Sequence, residues 1–340
     1  MKKGVTMKYL SRSSIYAAIL IIAIAAAGGH AQEAYRISAP YAYKNLTIFL
    51  IHGKNETNKT NIVTLQEAMK MQILRVYETS DVNELQVENI SKQFDVFIQS
   101  GDIVKGGKQD RVLAISIIIP ARSGRVSIEA YCVESGRWEK RKNEDAGQFS
   151  SSEERIVSKD LKVAANGARS QQEVWSKVAE AQKKLSNTVG VDVTANASRT
   201  SLQLALENGK VAASADEYVK KLSNLIAGKT DVIGYAFAVN GEINSADIYV
   251  SNNLFKKLWP RMLKAAAVEA IAEGNRGGTT ASPMPASVEA FLTDAVKGKA
   301  KERATSGRSK VVTRENEGSA VFEARDKSDL VVHRNYVKIH

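Results

Sequence analysis

Short apolar runs, broken at regular intervals, dominate the first half of the chain. Leu46 to Ile51 alternates as a strand, and His52-Gly53 ends it. Further strands are expected at Ile73 to Glu78, Glu84 to Ile90, Phe94 to Gln99, Val112 to Ile119 and Arg125 to Val133. Each run is short, rich in Val, Ile, Phe or Tyr, and bounded by Gly, Pro, Asn, Asp or Ser, the residues that form turns. A strand recurs about every ten residues with no long helix between, which favours an antiparallel sandwich or barrel over a parallel sheet. One short helix is expected here, from Thr64 to Lys70, with Glu67 completing a capping box. Tyr35 to Lys44 reads as an irregular lead-in.

Beyond Trp138 the pattern changes. Glu139 to Ser152 is charged and polar and reads as a linker or flexible loop. Val174, Val178, Ala181 and Leu185 recur at helical spacing within Gln171 to Leu185. Ser201 to Glu207 and Asp216 to Ile226 are further helices. Val232 to Val239 and Glu242 to Tyr249 flank Asn240-Gly241, a strong hairpin signal because both residues tolerate positive φ. Leu254 to Ala272 carries Leu254, Leu258, Met262 and Ala266 on one helical face, and Pro260 should kink that helix or start its second half. A breaker-rich loop, Gly274 to Pro285, leads to a helix at Val288 to Val296 and strands near Val311, Phe322 and Val332. The expected fold is α+β. An antiparallel β-sandwich-like part (32–150) carries a helical and β-hairpin part (151–340) packed on it.

Residues 1–31 alter this picture, because they have the three parts of a secretory signal. Lys2, Lys3, Lys8 and Arg12 form a basic start, Ile15 to Ala27 is apolar, and Gly29-His30-Ala31 is a small-x-small cleavage site. The apolar run is shorter than the ~20 residues of a spanning helix. No Cys follows it, so a lipid anchor is not expected. The expected location is therefore periplasmic or secreted, with no membrane span after cleavage. The chain has 48 Lys+Arg against 37 Asp+Glu, a net +11. Removing four basic residues and no acids leaves 44 against 37, or +7. That excess is modest, and a nucleic acid partner is not expected. One Cys excludes an internal disulfide framework and a Cys-based zinc site, and four His argue against a His-rich metal centre. No metal is expected, and no cofactor can be assigned.

Candidate chemistry concentrates in GDIVKGGKQDR, Gly101 to Arg111. It sets Lys105, Gln109, Asp110 and Arg111 around Gly106-Gly107. Paired glycines let backbone N–H groups approach a ligand, and turned N–H groups form an anion nest. Lys and Arg add charge-assisted hydrogen bonds to phosphate or carboxylate. This is not a Walker loop, since Gln109 rather than Ser or Thr follows Lys108. A second cluster, CVESGRW, ends the strand from Arg125 and offers Glu134, Arg137 and Trp138. In that strand Val126, Ile128, Ala130 and Cys132 share one face, which makes Cys132 a core thiol. Gln99 to Lys142 holds nine basic and five acidic residues, over half the mature excess. A second basic stretch, Lys297 to Arg314, reads as a solvated helix end and loop. A serine triad would need His52 or His333 with an unmarked Ser, and no G-x-S-x-G is present.

These motifs resemble one family. IFLIHGK, TLQEAM, FIQSGDIVKGGKQDR, CVESGRW, QQEVW, NGEINSADIYV with LFKKLW, and the late FEARD and VHRNY are similar to the ARG- and rhodanese-phosphatase-superfamily-associated protein domain. The family has no assigned activity. Its name reports genomic association with ADP-ribosylglycohydrolase-type and phosphatase-like proteins, which implies a link to nucleotide or ADP-ribose chemistry and carries over no catalytic residues. Export weakens that link here.

Three readings follow. The first is a protein binding an anionic small molecule through Lys105, Gly106, Gly107, Gln109, Asp110, Arg111, Arg137 and Trp138. The second is a structural or protein-interaction domain whose motifs pin loops by internal ion pairs, a reading that buried Asp110–Arg137 contacts would favour. The third is a hydrolase of phosphorylated or ADP-ribose-like substrates with Asp110 or Glu134 as acid or base.

Overall fold

A computed structural model describes residues 35–57, 61–79, 81–137, 148–156, 158–168, 170–275, 277, 281–305 and 309–339. The expected signal segment 1–31 and Trp138 lie outside the described residues.

The chain opens with Arg36–Ile37 (β1), Tyr41–Tyr43 (β2), Leu46–His52 (β3), Ile62–Thr64 (β4) and the helix Leu65–Lys70 (α1). Strands Leu74–Glu78 (β5), Glu84–Asn89 (β6), Asp95–Ile98 (β7), Asp102–Gly106 (β8), Arg111–Leu113 (β9), Ile117–Ile119 (β10), Arg125–Cys132 (β11) and Phe149–Arg155 (β12) follow. Helices Lys159–Val163 (α2), Gln171–Val189 (α3), Leu202–Leu206 (α4) and Gly209–Leu222 (α5) lead to the hairpin Val232–Val239 (β13) and Glu242–Tyr249 (β14). Helices Asn252–Glu273 (α6) and Pro285–Ala295 (α7) precede Lys299–Ala304 (β15), Lys310–Glu315 (β16), Ser319–Arg325 (β17) and Val331–Lys338 (β18).

The fold class is α+β with large antiparallel sheets. A nine-stranded sheet runs β1-β3-β13-β14-β18-β17-β16-β15, with β2 also on β3. A six-stranded sheet runs β12-β8-β9-β11-β6-β5, and a three-stranded sheet runs β10-β7-β4. Strands from both sides of residue 150 thus share the large sheet. Every residue of β3 is buried. The reason is that both faces of the sheet are covered. Leu46, Ile48 and Leu50 enter the main core with Tyr235, Phe237 and α6, while Phe49 and Ile51 join Val288, Phe291 and Leu292 of α7.

Local sequence rules explain several elements. Thr64 accepts from the Glu67 N–H and Glu67 accepts from the Thr64 N–H, so the capping box is complete. Asn240 (φ 50°) and Gly241 (φ 79°) make the β13–β14 turn. Helix α6 runs unbroken through Pro260, because burial of Leu254, Leu258, Met262 and Ala266 offsets the lost backbone hydrogen bond.

Four expectations are corrected. Tyr35 to Lys44 is not irregular, since β1 and β2 both pair with β3. The 149–152 portion of the expected linker belongs to β12, an edge strand on β8. Lys297 to Arg314 is not a helix end and loop but contains the β15–β16 pairing. It looks solvated because β15 is the exposed edge of the sheet, where charged residues guard against further pairing. Finally, Val112 to Ile119 is not one strand. β9 pairs with β11 and β8, and β10 pairs with β7. The chain changes sheet across Ala114 to Ser116, and Ser116 is the one polar residue in the run.

Candidate functional site

The glycine-rich motif forms the β8–β9 hairpin, and most of its polar groups are spoken for. Gly106 (φ 114°) and Gly107 (φ 57°) make the turn. The Gly106 N–H donates to Asp110 Oδ1 at 3.2 Å, and the Gly107 N–H donates to Gln148 O at 3.3 Å. Lys105 pairs with Glu207 at 2.9 Å. Arg111 is buried, with Nη2 on Glu78 Oε1 at 2.8 Å and Nη1 on Cys132 Sγ at 2.8 Å. Gln109 donates to Glu134 O at 3.1 Å. Arg137 donates from Nε to Glu134 Oε1 at 2.7 Å and stands 3.9 Å from Asp110. The two motifs therefore meet, as β9–β11 pairing dictates. Asp110 and Glu134 are fully buried. Burial also pushes the Cys132 thiol up to about 11, against the lowering effect of Arg111.

A second assembly lies where the chain changes sheet. Ser116 precedes β10 and lies beside the end of β7, so the Ser100 N–H donates to Ser116 Oγ at 3.0 Å. Ser116 Oγ lies 2.9 Å from His333 Nδ1, and His333 Nε2 lies 2.9 Å from Asp247 Oδ1. His333 pairs with Tyr249 across β14 and β18, and Asn335 pairs with Asp247, so all four point to one face of the large sheet. Tyr249 stacks on the imidazole at 4.8 Å and Phe97 meets its edge side at 5.8 Å. The ring is held from two directions.

The carboxylate sets one proton position on the imidazole. Asp247 Oδ1 also accepts from Asn335 Nδ2 at 3.0 Å and faces Gln99 Nε2 at 3.4 Å. Burial alone would raise the Asp247 carboxyl. The His333 hydrogen bond and charge, with Lys162 and Arg155, outweigh burial and hold it below its ordinary value. An ionised carboxylate only accepts, so His333 Nε2 carries a proton. With that proton on Nε2, Nδ1 is the ring nitrogen that faces the Ser116 hydroxyl, at 2.9 Å. Tyr249, pushed well above its ordinary value by burial, stays a neutral phenol and accepts from Gln99 at 2.7 Å.

Ser116 opens onto a cavity of about 360 Å³ that Ser100, Asn166, Asn335, Lys301 and Arg303 also line. Lys301, Thr313, Phe322, Asn335 and Asp247 form one cross-strand row, so the cavity floor is the large sheet itself. Asn166 sits in a π-helical turn, Ala164–Ala168, a rare geometry that recurs at functional sites. A larger groove of about 850 Å³ lies between α1, β5 and β12. Its walls lack a hydroxyl–imidazole pair among the described residues. No cluster of His, Cys, Asp and Glu suited to a metal occurs among the described residues.

The model of the ARG and Rhodanese-Phosphatase-superfamily-associated Protein domain matches residues 34–339. The chain belongs to that family. The match spans both the motif hairpin and the Ser116 assembly, so the family domain includes each. No curated protein and no solved structure matches the chain. For this family member, sequence reading named His333 only as one of two histidines able to serve a triad. It missed Ser116 and Asp247. Their signal was a lone polar residue in an apolar strand, and a carboxylate amid apolar neighbours in the strand after Asn240-Gly241.

Proposed function

We propose that this exported family member binds a small anionic, hydroxylated molecule in the cavity beside Ser116. The observation that carries this reading is the cavity itself, whose volume lies at the small end of the range for ligand sites. Lys301 lines it and has no ion-pair partner among the described residues. Three acids also line it. Glu302 is met by Lys310 at 3.6 Å, and Glu323 by Arg325 at 2.6 Å. Glu315 remains as an acceptor, which is why the ligand needs hydroxyl donors as well as negative charge. The cations expected to bind an anion at the hairpin are already matched, Lys105 by Glu207 and Arg111 by Glu78. That favours the cavity over the hairpin as the ligand's place.

Thermal unfolding with inorganic phosphate, sugar phosphates and hydroxy acids tests this reading. A ligand at 100 times its Kd should add about 2.7 kcal/mol. Lys301→Glu should abolish the rise. An unmoved Tm across the panel would rule the reading out.

The burial of Asp110 and Glu134 around Arg137 favours a structural task for the two motifs. Export is supported by the order of basic, apolar and small residues in 1–31. N-terminal sequencing of the chain recovered outside the cytoplasm should read from Gln32. Among the described residues, no helix is long and apolar enough to cross a membrane.

A further inference from the structure

Ser116 is the residue at which the chain passes from one sheet to another, and it joins a buried hydrogen-bond network to the wall of the cavity. His333 and Asp247 are 1% and 2% exposed, whereas Ser116 is 9% exposed and lines the cavity wall. A network serving packing alone needs no opening at its terminal hydroxyl. The order hydroxyl, imidazole, carboxylate, at 2.9 Å and 2.9 Å, is that of a nucleophile, its base and the group that orients the base. Here the hydroxyl meets Nδ1 and the carboxylate meets Nε2. Either ring nitrogen can take the proton, provided that the other is held as a donor.

We propose that Ser116, His333 and Asp247 form a nucleophilic triad and that the cavity is the active site of a hydrolase of O-acyl esters. This rests on the cavity being a ligand site. Ser116 Oγ attacks the ester carbonyl carbon as His333 Nδ1 takes its proton. The bond from that carbon to the alcohol oxygen breaks, and His333 returns the proton to the departing oxygen. Water then attacks the acyl-serine by the same proton route, releasing a carboxylic acid and restoring Ser116. Ester and water become acid and alcohol, with no oxidant, reductant or metal in the balance. Asp247 is a positioning residue, which keeps the proton on Nε2. Asn166 supplies the donor for the developing oxyanion. Ser100 Oγ donates to Asn166 Oδ1 at 2.7 Å, which turns the Asn166 amide N–H groups away from that bond. The anionic, hydroxylated class of ligand makes the substrate an acylated sugar acid or sugar phosphate, or a comparable ester.

The full mature chain is treated with p-nitrophenyl acetate and, separately, with a fluorophosphonate, followed by peptide mass spectrometry. One phosphonyl adduct on Ser116 is expected, with ester turnover reduced at least ~10³-fold in Ser116→Ala. Ser116→Cys keeps a hydrogen-bonding group and should fold normally and be alkylated by iodoacetamide at that position, which separates loss of the nucleophile from loss of the fold. Asn166→Ala should lower kcat about 10²-fold. Asp247→Asn should lower kcat at unchanged KM, a split that a purely structural role would not produce. A folded chain with no adduct on Ser116, or turnover that survives Ser116→Ala, overturns the triad. If anions still raise the Tm of a chain without Ser116-dependent turnover, the triad fails and the ligand reading stands. If turnover depends on Ser116 while no anion shifts the Tm, the triad stands and the ligand class fails.

Discussion

Arg261 Nη1 donates to Asp102 Oδ1 at 2.9 Å, joining helix α6 to the first residue of the β8–β9 hairpin. The same guanidinium donates from Nη2 to Ser152 O at 3.1 Å and Glu154 O at 3.2 Å, so one side chain clamps β12, β8 and α6. Both charged groups are buried, at 9% and 1% side-chain exposure. Removing Arg261 leaves buried Asp102 with only the Arg155 guanidinium at 4.0 Å, a loss of up to about 3–5 kcal/mol. Arg261→Met should therefore lower the urea midpoint strongly. A change below about 1 kcal/mol would show that the clamp is already relaxed by water.

The glycine-rich turn should be intolerant of a methyl group. A Cβ on Gly106 would lie 2.6 Å from Gln148 O, at a φ of 114°. Gly136 also has positive φ but meets nothing within 4 Å. Gly106→Ala should cost about 1–3 kcal/mol and Gly136→Ala about 1 kcal/mol, compared by chemical denaturation. Equal losses would show that φ alone, and not the close approach of β12, demands glycine.

How far the sequence reveals this protein depends on whether a rule is local. The Asn240-Gly241 turn and the Thr64–Glu67 box need only neighbouring residues, and both are legible to the residue. β12 is hidden because FSSSEER carries polar groups inward. Ser152 donates to Gln203 Oε1 at 2.7 Å, and Arg155 donates to Gln99 Oε1 at 2.8 Å. An inward polar strand has no hydrophobic period to detect. Ser116 is hidden differently, since Ile115 and Ile117 are buried in either arrangement and only the pairing partners change. Of the expected site, the approach of Gln109, Asp110, Glu134 and Arg137 was legible from strand order. The complete burial of Gln109, Asp110 and Glu134 was not, because it depends on helices far along the chain, such as α4 with Ser201 at its start.

Cys132 should be chemically silent in the folded protein. Its thiol is pushed to about 11 by burial, so it stays protonated, and unreactive towards Ellman's reagent, through pH 8. Titration in urea should release one thiol per chain, in line with the single Cys. Rapid native reaction at pH 8 would mean that the β9–β11 end opens readily.

Two buried carboxylates should give opposite pH signatures. Asp247 is held below its ordinary 3.8, so its contribution is present above that value and is lost as pH falls through the folded one. Glu269 is raised above 4.5 by burial, despite Lys162 and Asn244, so its contribution is present below 4.5 and is lost as pH rises through the folded value. Glu269→Gln should raise Tm on the order of 2 °C at pH 7 and lose that gain near pH 4. Asp247→Asn should lower Tm at pH 7, with the deficit shrinking towards pH 3. Scanning calorimetry across pH 3–8 checks both, and parallel curves would refute the assignment.

The strand order of the large sheet also has a consequence in time. β18, the last strand in sequence, lies inside the sheet between β14 and β17, while β3, from the start, lies against β13. Ser116 and His333 are 217 positions apart. No partly synthesised chain can bring them together, and until β18 inserts, β14 presents an open apolar edge. Such long-range closure is slow, in the range of milliseconds to seconds or longer. During that interval the chain depends on dilution or a chaperone to avoid edge-to-edge association.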